Sequence, residues 1–267
     1  MTSVRIVSVN TWGGRIFDPL AGWLGTVGAD VLCLQEVTRT PRRTGWVRYA
    51  NGENAFPQRA NLLADVRQVL PAHQAIFVAA ESGPVLDPSG GRHRQDFGIA
   101  TLVDEHLPLM GLDTAFVHGS FTDHDSWPST IAPRAALAVR VLDRTTGRRV
   151  AVIQLHGLRD PSGKHDTAER RAQARRLAEL VQRSQRDADL TVVCGDLNLL
   201  PDSETFQILG ELGLVDLVGT ADTRTSHYPK PVRHADYALV SDPSAVTRFA
   251  ILAEPEVSDH RALLLEL

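Results

Sequence analysis

The 267-residue chain is poor in lysine, cysteine and long apolar runs, and each shortage excludes something. Lysine occurs only at Lys164 and Lys230, so nearly all positive charge is arginine. Lys and Arg number 28 against 32 Asp and Glu, a formal net charge of −4. A protein that grips many duplex phosphates usually presents a basic face, because counterion release supplies most non-specific affinity. The balanced charge leans away from a dedicated duplex-DNA binder and leaves room for a local basic cleft. The longest apolar runs are strand-length, so no transmembrane helix is expected. The first ten residues lack the apolar stretch of a signal peptide and read directly as a strand. Cys33 and Cys194 each sit inside an apolar run and read as buried free thiols. With no export signal, that points to a cytoplasmic protein. No Pro/Gly/Ser linker and no internal repeat divides the chain, so residues 1–267 read as one domain.

What is present is organised around residues 190–198, Leu-Thr-Val-Val-Cys-Gly-Asp-Leu-Asn. The run of apolar and β-branched residues is a buried strand that ends at Gly195. Asp196 and Asn198 follow two apart, so in extended chain they point the same way. A carboxylate and a carboxamide at the open end of a buried strand make a polar site on a rigid support.

The rest of the chain supplies further strand ends. Residues 4–9 form a strand ending at Asn10, then a turn over Thr11-Trp12-Gly13-Gly14. Asp18-Pro19 reads as the N-cap and first position of a helix with Leu20, Trp23, Leu24 and Val27 on one face, closed by Gly28. Residues 30–37 form the next strand, with Glu36 near its end, completing a βαβ-type unit. Residues 39–58 read as loop, and 59–70 as a helix stopped by Pro71. Strands are expected near 74–80 and 97–103, separated by a polar, Gly-rich loop with Arg92, His93 and Arg94. Another lies near 109–118, followed by loop over 119–133 and a hairpin of 134–142 with 149–156. After a loop at 157–166, Asp166 with Glu169 resembles a capping box opening a helix to about 185. Its many Arg residues read as a solvated face. A short helix near 203–212, a loop at 219–234 and strands near 235–241, 246–252 and 261–267 complete a sheet-rich α/β pattern with mixed sheets.

Asn10, Glu36, His156, Asp196, Asn198, Asp236, Asp259 and His260 all fall at or just beyond predicted strand ends. Singly, each has a bland reading as a turn residue, a surface carboxylate or a satisfied histidine. Together they hold what metal-assisted phosphate chemistry needs. A hard cation such as Mg²⁺ takes a few oxygen ligands and keeps several waters. It polarises a phosphoryl oxygen and neutralises developing charge. An Asp or His must orient and deprotonate the attacking water, and neutral donors must hold the phosphate oxygens. Glu36, Asn10 and Asp259 suit the metal, Asp196 and His260 the water, Asn198 and His156 the phosphate.

The ordered pieces Val-Asn-Thr-Trp (9–12), Leu-Gln-Glu-Val (34–37), Phe-Gly-Ile-Ala-Thr-Leu (97–102), Gln-Leu-His (154–156), Gly-Asp-Leu-Asn (195–198), Ala-Asp-Tyr (235–237) and Ser-Asp-His (258–260) resemble the DNase I-like endonuclease/exonuclease/phosphatase superfamily. The resemblance spans nearly the whole chain. It implies a four-layer α/β sandwich, two packed mixed β-sheets flanked by helices, with the site where strand ends of both sheets meet. It further implies Glu36 as principal metal ligand with Asn10 and Asp259 nearby, for Mg²⁺ with Mn²⁺ as the alternative. Asp196 would position the water, Asn198 would bind the phosphate, and His260 would be acid/base or phosphate contact held by Asp236. His156 would contact the phosphate or assist the leaving group.

Departures narrow the substrate. Trp12 stands where some nucleases of the superfamily carry an acidic residue, and His156 where its base-excision endonucleases have Tyr. No basic, aromatic-interleaved segment for stacking single strands is present. Arg134, Arg159 and Lys164 are candidate phosphate or substrate binders. The run His118 to Asp125 reads as a solvated loop. The favoured expectation is a monomeric phosphodiesterase or phosphatase acting on a small or lipid-derived phosphoester or a nucleotide. The alternative is a nuclease on DNA or RNA, and the third is a silent binding protein, against which the intact set of polar residues argues.

Overall fold

A computed structural model describes residues 4–52, 54–128, 132–160 and 162–267. The chain begins with β1 (Arg5–Asn10), α1 (Phe17–Val27) and β2 (Val31–Arg39). Along β1 and β2 the side chains alternate between two interiors: Ile6, Val31 and Cys33 join one cluster, while Val7, Val9, Leu32 and Leu34 join another. A strand buried on both faces reads as a continuous apolar run, which is why Val31 to Leu34 shows no polar alternation. Leu20, Trp23 and Leu24 of α1 cover the outer face. Each such side chain contributes roughly 1.5–3 kcal/mol by leaving water.

The remaining elements are β3 (Trp46–Ala50), β4 (Ala55–Arg59), α2 (Leu62–Val69), β5 (His73–Leu86), β6 (Arg92–Asp104), β7 (Leu109–His118), β8 (Thr122–Asp123), β9 (Arg134–Leu142) and β10 (Arg149–His156). They are followed by α3 (Ala168–Gln185), β11 (Leu190–Asp196), α4 (Glu204–Gly210), β12 (Val215–Asp216), β13 (Asp236–Val240), β14 (Arg248–Leu252) and β15 (Ala262–Glu266). One sheet runs β14-β15-β1-β2-β6-β5-β3-β4, with β8 on β5; the other runs β12-β13-β11-β10-β9-β7. Helices α1 and α2 lie on the outside of the first sheet and α3 on the outside of the second. This is the DNase I-like α/β sandwich with two mixed sheets.

Each sheet has one parallel pair joined by a helix at its centre: β1-α1-β2 and β10-α3-β11. In α/β sheets such carboxyl ends are where ligands bind. A buried amide clip fixes the two pairs against each other. Gln35 Nε2 donates to Gln154 Oε1 at 2.8 Å, and Gln154 Nε2 donates to the Ala100 carbonyl and Thr101 Oγ1, both at 2.7 Å. Gln35 immediately precedes Glu36, and Gln154 precedes His156 by two, so this clip sets the relative height of the two strand ends.

Several local expectations are corrected. Residues 39–58 contain the β3–β4 hairpin; its pattern is masked because Val47 and Tyr49 alternate with Trp46, Arg48 and Ala50, two of them apolar, on a largely exposed ribbon. The polar stretch around Arg92–Arg94 is strand, since β5 and β6 continue as one long hairpin well past the core. Of the loop expected at 119–133, residues 129–131 lie outside the described residues, and the described part holds the short strand β8. Helix α1 starts at Phe17, with Asp18 and Pro19 inside its first turn, where no N–H is required of proline. Thr167, and not Asp166, caps α3, its Oγ1 accepting from Arg170 N at 3.2 Å. Asp166 instead accepts from Ser203 Oγ at 2.6 Å and Glu204 N at 2.9 Å, tying α3 to the start of α4.

Candidate active site

The eight strand-end residues converge. Asn10 closes β1, and its Nδ2 donates to Glu36 Oε1 at 3.2 Å and to Asp196 Oδ2 at 3.0 Å, so one carboxamide joins the two sheets. Its Oδ1 accepts from Trp12 N at 2.9 Å. His156 Nε2 lies 3.7 Å from Asp196 Oδ2 and 3.9 Å from Glu36 Oε1. His260 Nε2 lies 3.6 Å from the same Asp196 oxygen, so that carboxylate stands between two imidazoles. His260 Nδ1 donates to both oxygens of Asp236, at 2.8 and 3.0 Å, and its Nε2 is 3.8 Å from Asp259 Oδ1.

Backbone geometry explains how these residues reach one another. Glu36 sits at a β-bulge between Leu34 and Val37 with φ +55, which re-aims its side chain out of the strand alternation. Trp12 (φ +53) and Asn198 (φ +55) are likewise left-handed. Such residues each cost about 1–3 kcal/mol and persist where the surroundings over-determine them. Gly195 at φ +136 is required by close approach, because a Cβ there would lie 2.2 Å from the Leu155 carbonyl oxygen. The turn then folds back so that Asn198 N donates to Asp196 Oδ1 at 3.1 Å.

Electrostatics divide the groups by state. Burial alone would raise the Asp196 carboxyl, but His260, Arg224 and Lys164 around it hold it well below the usual carboxylate range. Burial, with Arg134 beside it, drives the His156 pKa well down, so His156 is a neutral imidazole. Arg134 Nη1 faces its Nδ1 at 3.4 Å, which leaves the proton on Nε2, pointing at Asp196 and Glu36. Burial works against a charged His260, but Asp236 and Asp196 outweigh it and raise its pKa. Asp259 is pushed up by burial and, despite His260, by the neighbouring Glu36 and Asp196 carboxylates.

That crowding of hard oxygen donors is what a divalent cation relieves, so Glu36 and Asp259, with Asn10 adjacent, fit a hard divalent cation by the chemistry of the donor set. A second grouping, Asp196, Asp236 and His260, places its ligand atoms within 4.8 Å of one another. Its Asp236 carboxylate is already engaged by His260 Nδ1 through both oxygens, which suits a proton relay better than a metal cage.

The candidate substrate binders occupy different positions. Arg134 is buried behind His156 with its Nε unpartnered. Lys164 donates to the His234 carbonyl, and burial lowers its ammonium to about 8. Arg159 is exposed on the loop after β10, its charge felt by His156 and Arg134. The His118–Asp125 run is not simply a solvated loop: His118 ends β7, Thr122 and Asp123 form β8, Asp123 pairs with Arg94, and His124 Nε2 lies 2.9 Å from the buried Glu81.

Three arginines were missed from the sequence. Arg170 was counted in the solvated face of α3, yet it is fully buried, donating to the Asn198 carbonyl at 2.7 Å and the Gly163 carbonyl at 2.8 Å. Its spacing of four and seven from Ala174 and Leu177 was the available signal. Arg15 stacks between Trp12 and Phe56, at 4.6 and 3.3 Å from the ring centroids, close enough for Glu36 and Asp259 to oppose the effect of its burial. Arg224 lies against His260 and Asp259 from the segment read as loop.

Two packed mixed sheets whose central strands end together at buried carboxylates, imidazoles and a carboxamide define a phosphoester-hydrolase scaffold. The chain belongs to the Endonuclease/Exonuclease/phosphatase family, whose sequence pattern it matches over residues 7–260. Among solved structures it is similar to an endonuclease/exonuclease/phosphatase from Bacteroides vulgatus (TM-score 0.70, 17% identity, covering 100% of this chain and 98% of that one). It is also similar to a Bacteroides thetaiotaomicron mannosyl-6-phosphatase (0.66, 17%, 99% of each chain). D. rerio TDP2 complexed with a single-strand DNA product is comparable (0.65, 16%, 99% and 98%). No curated protein matches the sequence.

Proposed function

We propose that the protein is a divalent-metal-dependent hydrolase of small or lipid-derived phosphoesters or nucleotides, working by in-line attack of water. The observation that carries the reading is Asp196, an ionised carboxylate buried between His156 and His260 and tied by Asn10 to Glu36. In this reading Asp196 orients the water and accepts its proton as the water oxygen bonds to phosphorus. The bond to the ester oxygen breaks on the opposite side, and the leaving alkoxide is protonated from water. His156 Nε2–H and Asn198 donate to non-bridging phosphate oxygens, while Asp236 keeps His260 in the tautomer that turns Nε2 toward Asp196. Arg134, Arg159 and Lys164 add positive charge for the anionic substrate. Held by Glu36 and Asp259 beside Asn10, Mg²⁺ or Mn²⁺ would supply Lewis-acid polarisation of a phosphoryl oxygen.

The small-substrate preference is supported by the net charge of −4 and by the burial of most of the reactive groups. Free, buried Cys33 and Cys194 are consistent with a reducing, cytoplasmic setting, and we take the protein to act as a monomer and a single domain. Among the described residues no helix is long and apolar enough to cross a membrane.

The test is hydrolysis of bis-p-nitrophenyl phosphate, p-nitrophenyl phosphate and plasmid DNA, with Mg²⁺ and with EDTA. EDTA-sensitive release from the small esters with plasmid intact supports the proposal. Nicked plasmid, with activity falling steeply as salt rises, replaces it with the nuclease reading.

A further inference from the structure

We propose that Arg224 is a catalytic residue, presenting its guanidinium to a non-bridging oxygen of the phosphate under attack; this rests on the phosphoester reading above. The segment carrying it is wired to the reactive groups by backbone. Thr225 N donates to the Asp259 carbonyl at 3.2 Å and Arg261 N to the Thr223 carbonyl at 2.9 Å, so Arg224 and His260 pair across an antiparallel bridge. Residues directly opposite in such a bridge project to the same face. Two hydroxyls lock the register: Thr225 Oγ1 donates to the Ser258 carbonyl at 2.7 Å, and Thr223 Oγ1 accepts from Asp236 N at 3.2 Å. The Arg224 backbone is thereby fixed between His260 and its partner Asp236.

The side chain is spent differently from those of its neighbours. Arg233 and Arg261 both turn to Asp222 near the surface. Arg224 is 4% exposed and turns inward, its Nη1 3.1 Å from Asp259 Oδ2 and against His260 Nε2. The Tyr228 ring lies 4.0 Å beneath its guanidinium carbon, a flat support that orients the fork. A structural ion pair frequently uses the planar fork on both carboxylate oxygens. Here only Nη1 is engaged: Nε is buried without a partner, and Nη2 makes no hydrogen bond among the described residues. Nε of Arg15, Arg134, Arg170 and Arg261 is equally unpartnered, so what sets Arg224 apart is that it keeps spare donors while its Nη1 already meets both His260 and Asp259, where a ligand can complete the bonding. An anion arriving between Asp196 and His260 would take Nη1 from His260 Nε2, freeing that nitrogen while giving Arg224 the bonds it lacks. A guanidinium already desolvated in that position requires no reorganisation as charge develops on phosphate.

The experiment compares wild type, Arg224→Met, Arg224→Ala and Arg224→Lys in the full chain. It measures hydrolysis of the nitrophenyl esters, inhibition by orthovanadate, binding of inorganic phosphate by calorimetry, and thermal melting. Arg224→Met is expected to lower kcat by about 10²–10³-fold, with KM changed less than tenfold and orthovanadate affinity falling in parallel with kcat. Added guanidinium ion should restore part of the Arg224→Ala rate, and Arg224→Lys should retain more activity than Arg224→Met. Wild-type kcat and vanadate affinity in Arg224→Met overturn the proposal. So does a loss of activity that tracks a lower melting temperature with no rescue by guanidinium. A wild-type protein that neither cleaves the esters nor binds phosphate or vanadate overturns the phosphoester reading itself, and the role of Arg224 falls with it.

Discussion

Replacing Asp196 by Asn changes one atom type in the most constrained carboxylate of the site, and the structure sets what should follow. The Asn side chain keeps the volume, and its carbonyl oxygen can still accept from Asn198 N, the 3.1 Å bond of the wild type. The new amide nitrogen then faces Asn10 Nδ2, which at present donates to Asp196 Oδ2 at 3.0 Å. Two donors cannot share that contact, so about one hydrogen bond is lost, worth roughly 1 kcal/mol. Lost attraction to Lys164, Arg224 and His260 is offset by relief of the nearby Asp236 and Asp259 carboxylates. For a chain of this size 1 kcal/mol shifts Tm by roughly 2–4 °C. Activity should suffer far more: without a carboxylate to take the water proton, kcat should fall by about 10²–10⁴, a barrier increase of about 3–5 kcal/mol. The assay is steady-state hydrolysis of bis-p-nitrophenyl phosphate beside a thermal melt of the same preparation. Turnover within tenfold of wild type, with the melt unchanged, refutes Asp196 as base.

Further consequences can be checked alongside. Glu36→Gln should weaken Mg²⁺ or Mn²⁺ binding, read by calorimetry, by about tenfold or more, and raised Mg²⁺ should recover its activity; undiminished metal affinity argues against Glu36 as ligand. Lys164, lowered to about 8 by burial, loses its charge above that pH, so kcat/KM should decline from about pH 8 upward, and Lys164→Arg should carry the decline to higher pH. The sign for stability is opposite: a lysine whose pKa falls from 10.5 to about 8 on folding binds its proton less tightly in the native state. Its penalty is full below pH 8 and relieved between pH 8 and 10.5, where denaturant midpoints of wild type should rise relative to Lys164→Met. Arg170→Met removes two charged bonds that hold the Asn198 and Gly163 carbonyls. It should cost about 3 kcal/mol, or roughly 6–12 °C in Tm, and raise KM. An unchanged melt would deny that arginine its bracing role.

The buried strands were legible because their physics is local. Val31 to Leu34 and Leu190 to Cys194 are apolar without interruption, and only strands covered on both faces read that way. The polar residues that end them, Asn10, Glu36, His156 and Asp196, stood out against those runs, so most of the site could be assembled from strand ends and motif order. The β3–β4 hairpin and the distal parts of β5 and β6 were not legible: the hairpin is largely exposed, and the distal strands carry polar residues even where they are buried, as at Glu81, Ser82 and Gln95, so no apolar alternation marks them.

What the sequence determined by itself, then, was the set of buried strands, their order and the reactive side chains at their ends, since each follows from residues adjacent along the chain. What only tertiary structure decided was distance and state. The bulge that turns Glu36, the Gln35–Gln154 clip that levels the two sheets, and the burial that makes His156 neutral all depend on residues distant along the chain meeting in the interior. The same holds for Arg170 and Arg224: in sequence an arginine is a solvated charge by default, and only the packing around it reveals that its fork has been turned inward to hold a loop or meet an anion.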